Sequence, residues 1–118
     1  MDTIGYQKNI DCYECEYDLI NNSSIIKNCI MEICTAIEAE IVTYNNHIFD
    51  RQGISAYAII TTSHIAIHTW PEYGYAAVDI FSCKGEIQDD ITKIIKRFFS
   101  AQRIKVKNFT RGNDYKKC

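Results

Sequence analysis

Most side chains in this chain that could do chemistry lie in one short segment and just beyond it. Residues 61–75 have the sequence TTSHIAIHTWPEYGY, which contains the hydroxyl of Ser63, two imidazoles including that of His68, and the carboxylate of Glu72. The thiol of Cys83 follows shortly after. Hydroxyl, imidazole, thiol and carboxylate groups serve as nucleophiles, bases and proton donors in enzymes. Taken alone, each of these side chains also has an ordinary structural explanation, as a hydroxyl in a turn, a buried thiol or a carboxylate in a loop.

A hydrolase site, a histidine metal site and a cysteine metal or redox site all fit these residues poorly. A Ser/His hydrolase would need Ser63 in a G-x-S-x-G turn and a carboxylate that orients a histidine, and neither is evident. His64 and His68 would share a strand face, but residues four apart on a strand are separated by about 13 Å, too far for one metal ion. Cys12 and Cys15 form a C-x-x-C pair with no second pair and no histidine at zinc spacing, which favours a structural role.

Composition sets the class of protein. The chain has 118 residues, which predicts one domain with a modest core. Hydrophobic residues make up 47% and the formal net charge is −2, which is ordinary for a globular protein and gives no basic surplus for nucleic acid. Because no apolar run of about 18 residues is present and the N-terminus lacks a signal-peptide pattern, we expect no membrane partner and a cytoplasmic location.

The six cysteines are expected to be free thiols. Without a secretion signal, the reducing cytosol is the expected compartment, and disulfides are rare there. Cys12 and Cys15 would close the first strand. Cys29 and Cys34 fall in a helical pattern and are expected in the core. Cys118 ends the chain and is expected to be mobile.

Hydrophobic periodicity predicts six strands and two helices around the reactive segment. Apolar residues at helical spacing predict amphipathic helices, and β-branched or alternating runs predict strands. The predicted helices cover 21–40 and 85–102, and the predicted strands cover 4–15, 40–49, 54–62, 64–70, 75–83 and 103–109. The run 54–62 is apolar enough to predict a buried strand, the alternating charges of 103–109 predict an edge strand, and the polar tail from Thr110 is expected to fray.

These elements predict an α+β fold, with an antiparallel or mixed sheet of about six strands covered on one face by two helices. Alternation places His64, Ala66 and His68 on one face of their strand, and it places Asp79 and Cys83 together on a face of the next. The sheet has apolar positions on both faces. We therefore expect a second subunit to cover the face that the helices leave open.

The segment SHIAIHTWPEYGYAAVDIFSC, residues 63–83, closely resembles the core motif of the small prokaryotic S-adenosylmethionine decarboxylases. The usual form is about E-S-H-[LI]-[TS]-I-H-T-W-P-E-x-G-Y-A-[AS]-x-D-[VIL]-F-[TS]-C-G. Weaker echoes occur at Ile4-Gly5, at the YEC of 13–15 and at 53–56. The total length also agrees, so the resemblance covers essentially the whole chain, and a match of this length is very specific.

The resemblance implies a proenzyme that cuts itself between Thr62 and Ser63. The products would be a β chain, residues 1–62, and an α chain, residues 63–118, whose first residue becomes a covalently bound pyruvoyl group. Ser63 would attack the carbonyl before it, Ser55 would assist, and His68 would take the Ser63 α-proton. An imidazole suits proton transfer near neutral pH.

The resemblance also implies a pyruvoyl-dependent carboxy-lyase of polyamine biosynthesis. The pyruvoyl carbonyl would form a Schiff base with the amine of a small-molecule substrate and accept the electrons left when CO2 departs. Cys83 would be the proton donor, Glu72 would hold the ribose hydroxyls, and Phe49 would stack on adenine, with Trp70 beside them. The family pairs two αβ protomers into an αββα sandwich with active sites near the interface, so a homodimer is expected.

Departures from the family pattern leave the substrate open at this point. Thr62 replaces the usual Glu, Asp50 and Arg51 lie in a loop that usually contains proline, and Lys84 replaces the usual glycine after the motif cysteine. Some family members act on L-ornithine or L-arginine, and a cationic substrate would favour a carboxylate such as Asp50 or Glu72. S-adenosylmethionine is the first expectation, these amino acids are the second, and an uncleaved regulatory homologue is the third.

Overall fold

One antiparallel sheet of six strands organises the protein. The computed structural model describes residues 3–114. The strands are β1 (Gly5–Tyr13), β2 (Ile41–Ile48), β3 (Ile54–Ile60), β4 (Ser63–Trp70), β5 (Tyr75–Ser82) and β6 (Arg103–Arg111), and their order across the sheet is β2-β3-β4-β5-β1-β6. The helices are α1 (Tyr17–Ile20), α2 (Ser23–Ala36) and α3 (Asp90–Phe99), with a 3₁₀ turn at Pro71–Tyr73. The predicted α+β class, the strand count and the two main helices are confirmed.

The core lies between the sheet and the helices. Strand residues alternate between the two faces, and one set is buried under α2 and α3. Ile65 and Ile67 are completely buried on this side, whereas His64 and His68 point to the other side, as the alternation predicts. Cys29 and Cys34 are buried on α2, which confirms their predicted place in the core.

Capping residues explain where α2 begins. Asn22 accepts hydrogen bonds from the backbone N–H groups of Ser24 and Ile25 through its side-chain oxygen, which satisfies two donors that have no partner inside the helix. The short helix α1 precedes this cap and was not predicted, because its four residues are too few to show a helical period.

Helix α3 is about a turn shorter at its start than its sequence pattern predicts. The predicted segment began at 85, but the helix begins at Asp90. The carboxylate of Asp89 accepts a hydrogen bond at 2.8 Å from Nζ of Lys8 on β1, and Ile87 is buried ahead of the helix. These tertiary contacts hold the preceding residues in a loop. At the other end, Ser100 adopts a left-handed conformation and stops the helix.

Strand β6 extends further than predicted. It forms an edge of the sheet, as its alternating charges indicated. However, Thr110 and Arg111 pair with Tyr6 and Gly5 on β1 instead of fraying, because β1 offers free backbone groups over its whole length. Cys118, which was expected to be mobile, lies outside the described residues.

Among the described residues of a single chain, no layer covers the second face of the sheet. The prediction that 54–62 is a buried strand is correct for only one face, because Tyr57 and Ile59 are 45% and 46% exposed on the other. Trp70 and Phe109 also expose apolar surface. We call this the open face, and it is formed by residues of all six strands. No helix among the described residues is long and apolar enough to cross a membrane.

Candidate active site

The backbone at Ser63 is strained. Strands β3 and β4 form a hairpin in which Ile60 pairs with Ser63, so only Thr61 and Thr62 make the turn. Two-residue hairpin turns favour glycine or asparagine because they need positive φ angles, and β-branched residues resist such angles. Here the positive angle falls on Ser63 instead, with φ of 146°. A non-glycine residue in such a region costs on the order of 1–3 kcal/mol.

A hydrogen bond polarises the peptide carbonyl that precedes Ser63. The carbonyl oxygen of Thr62 accepts a hydrogen bond of 2.9 Å from the backbone N–H of Cys83. Cys83 lies just beyond the end of β5, where Ser82 pairs with Ser63. Its side chain is exposed. Strand pairing therefore places an N–H donor against the carbonyl that precedes the strained Ser63, an arrangement that stabilises negative charge on the oxygen if the carbonyl is attacked.

A second polar pair lies at the opposite end of the same hairpin. Ser55 on β3 pairs across the ladder with His68 on β4. Their side chains form a hydrogen bond of 2.8 Å between Ser55 Oγ and His68 Nδ1. The pair lines a shallow depression of about 280 Å³ on the open face, together with Asn45, His47 and neighbouring residues. The bond fixes the orientation of the imidazole and leaves its Nε2 free for chemistry.

The predicted substrate-binding residues gather near this second pair. Phe49 follows β2, is 47% exposed, and packs edge-on against the ring of His47 at 4.5 Å. Trp70 ends β4, is 41% exposed, and contacts the ring of Tyr75 at 5.4 Å. Glu72 follows in the 3₁₀ turn with its carboxylate exposed. Exposed aromatic rings and a carboxylate at one end of the sheet can contact the rings, cations and hydroxyls of a ligand.

Asp50 lies in the exposed turn after Phe49. The turn depends on Gly53, which has a φ of 99° and approaches the carbonyl of Thr69 so closely that a Cβ would lie 3.2 Å from that oxygen. Gly53 therefore accounts for the sharp return of the chain into β3. It places Asp50 at the same end of the sheet as Ser55.

The predicted site residues thus form two groups that a single chain keeps apart. Ser63 and Cys83 form one group, and Ser55 and His68 form the other. Ser63 and His68 are five residues apart on a regular strand, which corresponds to about 16 Å at ~3.3 Å per residue. Sequence proximity suggested one cluster, but an extended strand separates residues that a helix or turn would bring together. Within one chain, His68 cannot reach the α-proton of Ser63.

The structure adds His47 to the second group. It pairs with Ser55 across β2 and β3, lines the same depression, and its ring packs against the ring of Phe49. The signal that could have found it is the alternation of β2, since Thr43, Asn45 and His47 occupy the polar positions of that strand. His64, for which no role was derived, is exposed and stacks on Phe81 at 5.9 Å.

The C-x-x-C pair forms a buried thiol contact. Cys12 ends the buried side of β1 and Cys15 follows it, both as free thiols. The hydrogen bond between the two thiols lowers the pKa of Cys15 and raises the pKa of Cys12. Among residues 3–114, no group of three or more histidine, cysteine or acidic side chains is arranged to hold a metal ion.

Comparisons with known proteins identify the family of the chain. A protein-family profile described as S-adenosylmethionine decarboxylase matches residues 7–112. The S-adenosylmethionine decarboxylase proenzyme of Acidithiobacillus ferrooxidans is 36% identical over 113 residues, which cover 95% of this chain and 85% of that protein. The corresponding proenzyme of Syntrophomonas wolfei is 33% identical over 113 residues, with 95% and 90% covered.

A solved structure supports the fold independently. The crystal structure of the adenosylmethionine decarboxylase from Aquifex aeolicus superposes with a TM-score of 0.83 over 95% of this chain and 93% of that one, at 24% sequence identity. At this level of identity, the similarity shows the fold alone. The matches to the family profile and to the proenzymes extend over nearly the whole chain and include the reactive segment. The chain therefore belongs to the S-adenosylmethionine decarboxylase family of pyruvoyl-dependent carboxy-lyases.

Proposed function

We propose that this chain is a proenzyme that cleaves itself between Thr62 and Ser63 and then decarboxylates S-adenosylmethionine. The observation that carries the proposal is the coincidence of strain and polarisation at one peptide bond. Ser63 has a φ of 146°, and the carbonyl before it accepts the Cys83 N–H. Cleavage there gives a β chain of 1–62 and an α chain of 63–118.

The first step is an acyl shift within the turn. Ser63 Oγ attacks the carbonyl carbon of Thr62, a C–O bond forms, and the C–N bond breaks. The hydroxyl proton ends on the released nitrogen of Ser63, so an ester replaces the amide. The Cys83 N–H stabilises the oxygen while it carries negative charge. The backbone strain at Ser63 lowers the barrier because it is relieved as the peptide bond breaks.

The second step makes the pyruvoyl group from Ser63. A base removes the Ser63 α-proton and the Cβ–O bond breaks, which leaves a carboxylate on Thr62 and a dehydroalanine at the start of the α chain. Water then replaces the nitrogen, which departs as ammonia. His68 is the proposed base, with Ser55 fixing its ring. A pyruvoyl group forms from a serine residue, and the residue at this strained junction is a serine.

We further propose that two copies pair through their open faces and complete each other's sites. His68 is too far from Ser63 of its own chain to act on it. A two-fold axis that passes between the sheets and crosses the strands makes β4 antiparallel to the partner's β4. Ser63 and Cys83 of one protomer then face the partner's Ser55 and His68, and the pairing is self-complementary. It also covers the exposed Tyr57, Ile59 and Trp70.

The mature site has distinct places for the parts of the substrate. The pyruvoyl group supplies a carbonyl that binds the substrate amine and withdraws electrons from its α-carbon. Cys83, just beyond the end of β5, is the proposed donor that returns a proton to that carbon. Phe49 can stack on adenine and attract the sulfonium, Glu72 can hold the ribose hydroxyls, and Trp70 forms the adjacent wall.

Mass spectrometry and CO2 release test the proposal. The purified protein should contain two chains of the masses expected for cleavage before Ser63, and it should release CO2 from S-adenosylmethionine. A single chain of 13.6 kDa that stays whole on long incubation would reject self-cleavage and leave a regulatory homologue. Two chains with release only from L-ornithine or L-arginine would reassign the substrate and direct attention to Asp50.

A further inference from the structure

The hydroxyl of Thr62 is anomalous. Its Oγ1 is the only buried side-chain nitrogen or oxygen among residues 3–114 that lacks a hydrogen-bond partner. Adjacent Thr61 has the same side chain, but its Oγ1 accepts a bond of 3.0 Å from the backbone N–H of Glu40. A buried hydroxyl without a partner destabilises the folded state, because it has lost its bonds to water and gained none in return.

This unpaired hydroxyl belongs to the residue whose carbonyl would be attacked. The carbonyl oxygen of Thr62 accepts the Cys83 N–H, and the next residue, Ser63, has the strained φ of 146°. Strand pairing on both sides of Ser63, with Ile60 and with Ser82, holds the junction so that neither the strain nor the hydroxyl can relax. Three unfavourable or polarising features therefore meet at one peptide bond.

We propose that Thr62 promotes self-cleavage by making the uncleaved junction less stable. The inference rests on the proposed function. When the C–N bond breaks and the Thr62 carbonyl ends as a carboxylate, Thr62 becomes the last residue of the β chain. It is then free to turn its hydroxyl to water. The precursor thus contains a local penalty that the cleaved protein no longer has, and the penalty promotes the reaction without direct contact with the attacking atom.

The stability of an uncleavable precursor tests the first half of the inference. In a Ser63→Ala background, Thr62→Val removes the hydroxyl and keeps the shape and β-branching of the side chain. We expect the melting temperature to rise by about 4 °C or more. Thr61→Val is the matched control. It removes a hydroxyl that has a partner, so it should leave the melting temperature unchanged or lower it. A Thr62→Val variant that melts at or below the Ser63→Ala parent would overturn the inference.

The rate of cleavage tests the second half. With Ser63 intact, Thr62→Val should slow the appearance of the α chain about fivefold. The ester forms from the precursor before the α chain is released, and a precursor stabilised by about 1 kcal/mol lowers the population of the ester by that factor. Thr62→Ser retains a hydroxyl and should cleave near the wild-type rate. A residue with a merely structural role would lose stability and rate together, whereas Thr62→Val should gain stability and lose rate.

The outcomes separate this inference from the proposed function. A wild-type chain that never cleaves rejects the proposed function. A wild-type chain that cleaves, with a Thr62→Val variant that cleaves equally fast or faster, rejects the inference alone. Purified precursor for the rate measurement can be obtained by refolding denatured whole chain, and gel densitometry or mass spectrometry gives the fraction cleaved.

Discussion

At the residue scale, the chemistry depends on which atom of each residue is used. The backbone N–H of Cys83, rather than its thiol, contacts the Thr62 carbonyl. The thiol is exposed and free for a different step. In the proposed reaction, Cys83 therefore assists self-cleavage through its main chain and substrate turnover through its side chain.

This division predicts the effect of Cys83→Ala. The substitution keeps the N–H, so self-cleavage should continue within about tenfold of the wild-type rate, while decarboxylation loses a proton donor and should fall by about 10²-fold or more. Chain masses report the first quantity and CO2 release reports the second. Equal losses in both would contradict the division. Ser63→Ala is the control that should leave one chain and no activity.

The Ser55–His68 hydrogen bond predicts a second effect at this scale. Ser55→Ala removes the 2.8 Å contact that orients the imidazole, and loss of such a bond costs about 1 kcal/mol. Self-cleavage should slow several-fold, and Ser55→Thr, which keeps a hydroxyl, should restore most of the rate. Time courses of α-chain formation measure the effect. Unchanged cleavage in Ser55→Ala would show that His68 needs no such support.

At the element scale, an ion pair with one buried partner joins the start of α3 to the sheet. Lys8 is 1% exposed on β1, whereas its partner Asp89, just before α3, is 87% exposed. Nζ of Lys8 also donates to Asn108 on β6 at 2.9 Å. The two halves of the pair are therefore unequal, because loss of the carboxylate leaves a buried ammonium group, and loss of the ammonium leaves a carboxylate in water.

The asymmetry predicts that Asp89→Asn lowers the melting temperature more than Lys8→Met does. Methionine has a similar volume and suits the buried site, while asparagine removes the charge that compensates Lys8. Thermal unfolding of the two variants in the uncleavable Ser63→Ala background measures the difference. The reverse order would show that the ammonium contributes more than its burial costs.

The same pair predicts a dependence of stability on pH. The hydrogen bond and charge of Lys8 hold the pKa of Asp89 below its ordinary value of 3.8. A lowered pKa means that the stabilisation is fully present above the unfolded-state value and is lost as the pH falls through the lower folded-state value. Below pH 4, the wild type should therefore lose stability more steeply than Asp89→Asn. Urea unfolding between pH 3 and pH 7 checks this, and parallel curves would contradict it.

At the scale of the whole molecule, an open face and a divided set of site residues have one explanation. In the proposed dimer, the second copy that covers the face also supplies the other half of the site. Exposed apolar residues on the face favour burial, and the separation of about 16 Å between Ser63 and His68, at about 3.3 Å per strand residue, keeps the two side chains of one chain apart.

Mixed dimers test this arrangement. Neither Ser63→Ala nor His68→Ala should cleave alone. Coexpressed, they should form dimers in which the intact Ser63 of one chain meets the intact His68 of the other, so the His68→Ala chain becomes cleaved. Mass spectrometry identifies which chain was cut. A mixture of His68→Ala with the double variant Ser63→Ala/His68→Ala is the control, since no site in it contains His68. Equal cleavage in both mixtures would contradict the shared site.

Local patterns predicted most of the fold because periodicity and caps act over a few residues. The faces of β4, the start of α2 and the edge position of β6 follow from alternation, from Asn22 and from charge. The start of α3 did not follow, because Lys8 is distant in sequence and holds Asp89 through space. The length of β6 depended in the same way on its partner strand β1.

The sequence by itself determined the family and singled out the candidate reactive groups, because a long contiguous pattern of residue types around Ser63 matches the family motif. Only the tertiary structure decided which of those side chains lie next to each other. An extended strand carries Ser63 and His68 apart, and strand pairing brings Ser63 next to Cys83 and His68 next to Ser55. Hydrogen bonding and strain at the Thr62–Ser63 peptide depend on backbone angles and on contacts between strands. Neither property is encoded by residue type at a single position.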